Sequence, residues 1–293
     1  MCGIAGVMTP NGSPLDPDLI ERLKTDLRHR GPDGDGVHTA GNMAMVQTRL
    51  AIIDLETGDQ PLFEPGGAAL IANGEIYNYL ELREELSDVA FATNSDCEPP
   101  LHLYRKRGFE FAKALRGMYA IAIHDPAKEV LLLARDPFGI KPLYYIEDDD
   151  FFAFASEPRA LIDVGLAKAT LVPERRDELL QLQFTCGRET IFRNIKRVLP
   201  GETLVIRNAK VVERHRIAAL PDSNGPAPSI DEALDRLDTA LEDSIRLHQR
   251  SDVPYGLFLS GGIDSSVVLA LMARTNDRPI RTYTVGFSGA GVP

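Results

Sequence analysis

The chain opens Met1-Cys2-Gly3-Ile4-Ala5-Gly6, and this start constrains its fold more than any other stretch. A small second residue permits removal of Met1, which leaves Cys2 with a thiol and a free α-amine on one carbon framework. The amine, with an unperturbed pKa of ~7.7–8.0, accepts a proton at neutral pH, and the thiol is the most nucleophilic of the ordinary side chains. Such a chain end must be held in a core: Ile4 and Val7 tie it down, and Gly3 and Gly6 let the backbone pass close to a substrate. A Met-Cys start alone carries no such meaning and acquires it only from residues downstream.

With 293 residues and 44% apolar content, the chain has room for two domains and a sizeable core. A net charge of −11 opposes a nucleic-acid backbone as partner, because that contact needs clustered Lys and Arg. Cys2, Cys97 and Cys186 form no CxxC and no His/Cys group, which excludes a disulfide framework or zinc site and fits a reducing, cytoplasmic setting. The start lacks the basic region of a signal peptide, and no run reaches the ~18 apolar residues of a membrane span.

Leu15, Leu19, Ile20, Leu23 and Leu27 recur at helical spacing, so residues 15–28 are predicted as a helix. Residues 29–36 read as a turn rich in Gly, Pro and Asp. Strands are expected over 43–47, 50–54, 68–73, 118–124, 130–134, 143–146, 151–155, 203–206 and 211–214. Helices are expected over 79–86, 98–107 and 174–183. Many short strands with few helices imply two packed sheets with helices outside.

Residues 218–228 have linker composition. Ser229 and Glu232 then form a capping box ahead of an apolar stripe of Leu234, Leu237, Leu241 and Ile245. A buried strand over 255–259, a glycine turn, a helix over 265–273 and a strand over 281–287 complete the chain.

Ser260-Gly261-Gly262-Ile263-Asp264-Ser265-Ser266 lies between that strand and helix, where backbone N–H groups and the helix dipole converge on phosphate. It lacks the Lys of a Walker A loop, and Asp264 beside phosphates would act through a hydrated Mg²⁺. In the front half, a Cys2 nucleophile acting on an amide needs two donors for the oxyanion, which the Asn73 amide and the Gly74 N–H offer. An amino-acid substrate needs an Arg for its α-carboxylate and a carboxylate for its α-ammonium; Arg49, Glu75 and Asp96 are available. Each alone reads as a surface ion or turn residue, and their force lies in co-occurrence.

Several motifs carry a resemblance: Met1 to Gly6, Arg30-Gly31-Pro32-Asp33, Arg49-Leu50-Ala51-Ile52-Ile53-Asp54, Asn73-Gly74-Glu75-Ile76-Tyr77-Asn78, Ser95-Asp96-Cys97-Glu98, Arg135-Asp136-Pro137-Phe138-Gly139-Ile140-Lys141-Pro142-Leu143-Tyr144-Tyr145, Phe154-Ala155-Ser156-Glu157 and Ser260 to Ser266. Together they resemble glutamine-hydrolysing asparagine synthetases and their amidotransferase relatives along essentially the whole chain. The resemblance implies an α+β N-terminal nucleophile hydrolase sandwich (αββα) over residues 2–216, acting as a class II glutamine amidotransferase. It further implies a linker over 217–229 and, over 230–293, the start of an α/β parallel-sheet ATP-pyrophosphatase domain.

By that likeness Cys2 attacks the glutamine amide, Asn73 and Gly74 form the oxyanion hole, and Arg49, Leu50, Ala51, Ile52, Ile53, Glu75 and Asp96 hold glutamine's backbone groups. Ser260, Gly261, Gly262, Ile263, Asp264, Ser265 and Ser266 bind ATP phosphates, with Mg²⁺ held indirectly by Asp264, and Leu259 and Val285 line the nucleotide. Ammonia passes through an internal tunnel to an acyl-adenylate of a carboxylate acceptor, aspartate in the synthetases. An amidotransferase for another carboxylate, as in surface-polysaccharide biosynthesis, and a remnant limited to glutamine hydrolysis or binding remain alternatives, as does a homodimer. Two departures are notable. Family members continue for some hundreds of residues beyond the phosphate loop, so the chain is expected to lack the acceptor pocket and to expose strand edges and helix faces in its last part. Pro99-Pro100 is expected to perturb the start of the helix after Asp96.

Overall fold

The computed structural model describes residues 1–10, 13–220, 225 and 227–286, which fall into two compact units, Met1–Pro221 and Asp222–Pro293. Of the expected linker, Pro221, Asp222, Ser223, Asn224 and Pro226 lie outside the described residues, as does Phe287 of the last expected strand.

In chain order the first unit runs β1 (Gly3–Met8), α1 (Pro17–Leu27), β2 (Gly34–Ala40), β3 (Met43–Arg49), β4 (Leu62–Phe63), β5 (Ala69–Ile76), α2 (Tyr79–Glu85) and α3 (Pro99–Arg107). It continues with β6 (Gly117–Asp125), β7 (Val130–Arg135), β8 (Tyr144–Glu147), β9 (Phe152–Ala155), α4 (Pro158–Asp163), α5 (Pro173–Leu182), β10 (Lys196–Arg197), β11 (Glu202–Arg207) and β12 (Lys210–Arg216). The strands form two six-stranded sheets, β10-β8-β9-β1-β3-β2 and β12-β11-β7-β6-β5-β4, whose pairings are all antiparallel.

Strand alternation builds four layers. Ile4, Met8, Met43 and Met45 of the first sheet meet Ala69, Ile71, Ala120, Leu131 and Leu133 of the second in one buried cluster between the sheets. The alternate residues Ala5, Val7, Ala44 and Val46 pack outward on Ile20, Leu23 and Leu27 of α1 and Leu161 of α4. On the other side Leu70, Ala72, Ile121 and Leu132 pack on Leu82 of α2 and Leu101 and Tyr104 of α3. The expected two sheets with helices outside are therefore present.

Several local expectations need correction. Residues 50–54 are an irregular loop rather than a strand, because their backbone groups bond to side chains gathered around the amino terminus instead of to a neighbouring strand. The octet of residues 29–36 reaches into β2 from Gly34 on, its edge position tolerating the polar sequence. Gly3 and Gly6 are also required by packing: a Cβ on Gly3 would lie 2.7 Å from Thr48 Oγ1, and one on Gly6 2.5 Å from the Phe154 ring. Pro99 and Pro100 do not disturb α3, which begins at Pro99, where the missing N–H would have had no helical partner.

The second unit contains α6 (Ile230–His248), β13 (Leu257–Phe258), α7 (Ile263–Thr275) and β14 (Thr282–Tyr283). The capping box holds: Ser229 N donates to Glu232 Oε2 at 2.9 Å, and Glu232 N to Ser229 Oγ at 3.3 Å. Arg274 on α7 pairs with Asp238 at 2.8 Å and Glu242 at 3.1 Å on α6. β13 and β14 pair in parallel around α7. The expected buried strand shrinks to two residues, and Phe258 is 75% exposed. With a two-stranded sheet and two helices among the described residues of this unit, Leu234, Leu237, Ile263 and Val285 are likewise exposed. No helix among the described residues is long and apolar enough to cross a membrane.

Candidate active site

Alternation along the strands also assembles the site. Ile4 faces the inter-sheet core, so Cys2, two residues earlier, faces the same way; by the same count Arg49 follows Met45, and Asn73 and Glu75 follow Ile71. All four reach one end of the sandwich, where a cavity is lined by Met1, Cys2, Arg49, Leu50, Ile52, Ile53, Gly58, Gln60, Asn73, Gly74, Glu75, Ser95, Asp96, Cys97 and Lys141. Every predicted residue of the front half is brought together there except Ala51, whose N–H instead donates to Asp33 Oδ2 at 3.0 Å.

The start of β1 is clamped. Arg30 Nε donates to the carbonyl of Cys2 at 3.0 Å, and Arg30 Nη1 pairs with Glu157 at 2.6 Å. Ser156 Oγ accepts Ile4 N at 3.0 Å, and Ser156 N donates to the Ile4 carbonyl at 2.8 Å. The Cys2 thiol lies against residue 50: Leu50 N donates to Sγ at 3.3 Å, and Sγ approaches the Leu50 carbonyl at 3.6 Å. Burial pushes the Cys2 thiol above its ordinary pKa, opposed by the Leu50 N–H, the chain-terminal amine, Lys141 and Arg49. With Met1 in place, burial thus opposes ionisation of the sulfur, and a base beside it would favour the thiolate. Met1 is 59% exposed while lining the cavity, so it is accessible to removal.

Asn73 is 1% exposed, and its Nδ2 has no hydrogen-bond partner. A buried amide donor left unsatisfied costs about 1–3 kcal/mol, which makes this nitrogen a donor awaiting an acceptor. Asp96 reaches the site from the loop between α2 and α3, its Oδ2 accepting Ile76 N at 2.7 Å. Burial raises its pKa to about 6; the Ile76 N–H opposes the rise and the Glu75 charge adds to it. Arg49 Nη1 pairs with Asp59 at 2.6 Å, and Nη2 donates to the carbonyls of Ile53, at 3.2 Å, and Asp54. These bonds fold residues 50–54 into a loop. Lys141, Gly58, Gln60, Ser95 and Cys97 line the cavity without having been singled out as site residues. Lys141 carried a signal only as part of a longer motif.

In the second unit, Gly261 has φ +80°, a backbone that favours glycine, and Gly262 caps α7 without any side-chain hydrogen bond to the first turn. Ser265 and Ser266 hydroxyls donate to the Gly262 carbonyl at 3.2 and 2.8 Å. The first-turn N–H groups are thus left free of a capping side chain, and the loop fits phosphate. Asp264 is exposed in that first turn. Leu259 N donates to the Tyr283 carbonyl at 2.8 Å, and Thr284 Oγ1 to the Leu259 carbonyl at 2.8 Å, which sets Leu259 near residue 285. Among the described residues no group of three or more His, Cys, Asp or Glu is placed to hold a metal.

Residues 1–216 match the family model of the glutamine amidotransferase domain. This chain belongs to the glutamine amidotransferase family. Residues 236–292 match a second model, asparagine synthase. The chain is 39% identical over 300 residues to glutamine-hydrolysing asparagine synthetase 1 of Bacillus subtilis (strain 168), covering 99% of this chain and 46% of that protein. It is also 39% identical over 321 residues to a putative glutamine-hydrolysing asparagine synthetase of Mycobacterium tuberculosis (strain H37Rv), covering 99% and 48%. The chain thus spans about half the length of these curated relatives.

Among solved structures, glutamine phosphoribosylpyrophosphate amidotransferase from B. subtilis superposes with a TM-score of 0.55 at 21% identity, covering 97% of this chain and 65% of that one. That likeness concerns the fold alone: the four-layer unit is an αββα sandwich, the architecture that the resemblance implies.

Proposed function

We propose that the first unit hydrolyses glutamine to glutamate and ammonia, with Cys2 as nucleophile after loss of Met1. The observation that carries this reading is one cavity holding the Cys2 thiol, the unpartnered Asn73 amide nitrogen, Arg49 and two carboxylates. The α-amine of Cys2 takes the thiol proton as Sγ attacks the glutamine side-chain carbonyl carbon. Asn73 Nδ2 and Gly74 N–H receive the oxyanion that forms. Collapse breaks the C–N bond, the amine's proton leaves with nitrogen as ammonia, and a γ-glutamyl thioester remains on Cys2. Water then adds to the thioester, the C–S bond breaks and the thiol regains its proton. Arg49 with the Leu50–Ile53 backbone binds the substrate α-carboxylate, and Glu75 and Asp96 bind its α-ammonium.

The match of residues 236–292 to asparagine synthase supports assigning the ammonia to ATP-dependent amidation of a carboxylate, aspartate in proteins with the relatives' names. Residues 260–266 would hold ATP phosphates, with Asp264 reaching Mg²⁺ through its waters, and the bound nucleotide would supply activation of the acceptor carboxylate by adenylation. Leu259 and Val285 would line the nucleotide.

The test is ammonia release from glutamine by the wild-type chain and by Cys2→Ala. Turnover is predicted only in the former; equal rates would remove Cys2 from the mechanism.

A further inference from the structure

The connection between β7 and β8 is built to present one side chain. The Asp136 carboxylate, fully buried, accepts the N–H groups of Phe138 at 3.1 Å, Ile140 at 2.9 Å, Lys141 at 3.0 Å and Tyr119 at 3.3 Å. The Arg135 guanidinium donates to the carbonyls of Gly139 at 2.6 Å, Lys141 at 2.7 Å and Val198 at 2.7 Å. Seven bonds around two buried ions are more restraint than a surface connection needs, and the exposed Phe138 and Ile140 gain no packing from it. The residue delivered inward is Lys141, 5% exposed, whose side chain lines the Cys2 cavity.

Charged groups approach the chain end from every neighbouring element. Arg30 and Asp33 come from the turn after α1, Arg49 from β3, Glu75 from β5, Asp96 from the loop before α3, and Lys141 from the loop before β8. Two of the three cations are matched by carboxylates, Arg30 by Glu157 and Arg49 by Asp59. No ion pair engages Lys141 among the described residues. A nearly buried ammonium without a counter-ion is costly unless its field is used.

We propose that Lys141 is the electrostatic partner of the Cys2 nucleophile, its ammonium favouring the thiolate and keeping the neighbouring α-amine neutral and ready to accept a proton. This rests on the glutaminase reading. Lys141 acts through Cys2 and is a positioning residue, not a catalytic one. In the chain with Met1 attached, Lys141 already depresses both the thiol and the terminal amine, against a larger upward effect of burial on the thiol.

The experiment measures the rate of Cys2 alkylation by iodoacetamide against pH, read by mass spectrometry of the amino-terminal peptide. It compares the full-length wild-type chain with Lys141→Met, Lys141→Gln and Lys141→Arg, alongside glutamine turnover. The two neutral variants are expected to move the alkylation midpoint up by about one pH unit and lower kcat at neutral pH about tenfold with KM little changed. Lys141→Arg is expected to restore the wild-type midpoint. Using two neutral variants guards against one that fails to fold. A wild-type midpoint in a neutral variant whose thermal unfolding is unchanged overturns the proposal. If wild type alkylates at Cys2 with the Lys141-dependent midpoint yet releases no ammonia, the glutaminase reading falls while the electrostatic pairing stands.

Discussion

Arg49 and Asp59 form an ion pair of 2.6 Å in which the arginine is buried and the aspartate side chain is 81% exposed. The pair ties down the guanidinium assigned to glutamine's α-carboxylate, so Asp59 and substrate compete for it. An exposed carboxylate in such a pair is worth at most about 1 kcal/mol. Asp59→Ala is therefore expected to lower KM for glutamine up to about fivefold with kcat unchanged; steady-state kinetics that show a higher KM would instead make Asp59 a support of Arg49.

Asp96 must be ionised to meet an α-ammonium, and burial first of all sets its pKa in the free protein at about 6. Protonation below that value removes the charge that binding needs. Accordingly kcat/KM for glutamine should fall about tenfold per pH unit below pH 6, because this ratio reports groups of the free enzyme. Asp96→Asn, which keeps an acceptor for the Ile76 N–H, should lower kcat/KM at pH 7 and flatten that limb. A limb that survives the substitution belongs to another group.

Loss of the Asn73 amide should be felt in the transition state more than in binding. Asn73→Ala is expected to reduce kcat by about 10²–10³-fold, as removal of one oxyanion donor does elsewhere, while the KM for glutamine changes little. A large KM effect with kcat preserved would make Asn73 a ground-state contact.

Gln47 lies on the inter-sheet face of β3, fully buried, with neither amide atom partnered. It does not line the cavity. Gln47→Met keeps the volume and removes two unsatisfied polar atoms, so it should stabilise the protein by about 1–3 kcal/mol in denaturant unfolding with glutamine turnover retained. Destabilisation would mean that the amide has a task in the core.

The periodicities of α1, β6 and β7 were legible in the sequence because tertiary packing and local pattern agree there; α6 was legible from its capping box and stripe, although Leu234 and Leu237 of that stripe stay exposed. Residues 50–54 depart from expectation because their apolar run matches a strand, whereas their hydrogen bonds go to Arg49, Asp33 and the Cys2 sulfur, partners that no window of sequence shows. The cavity's Cys2, Arg49, Asn73, Glu75 and Asp96 could be named because the substrate's functional groups demand those residue types. Lys141 could not, since its contribution is a field at another side chain and depends on the cage that Arg135 and Asp136 build. In the second unit, capping and the glycine turn were readable, but the burial assumed for residues 255–259 was not, because burial depends on what packs against a strand and not on its own composition.

Glutamine hydrolysis by this route requires that Cys2 become both the chain terminus and the nucleophile. The most direct measurement is mass spectrometry of protein treated with a glutamine analogue carrying a diazoketone in place of the side-chain amide. The predicted result is an amino-terminal peptide that begins at Cys2 and carries one adduct on its sulfur. Ammonia-releasing protein that retains Met1, or that is inactivated with the adduct on another residue, would contradict it.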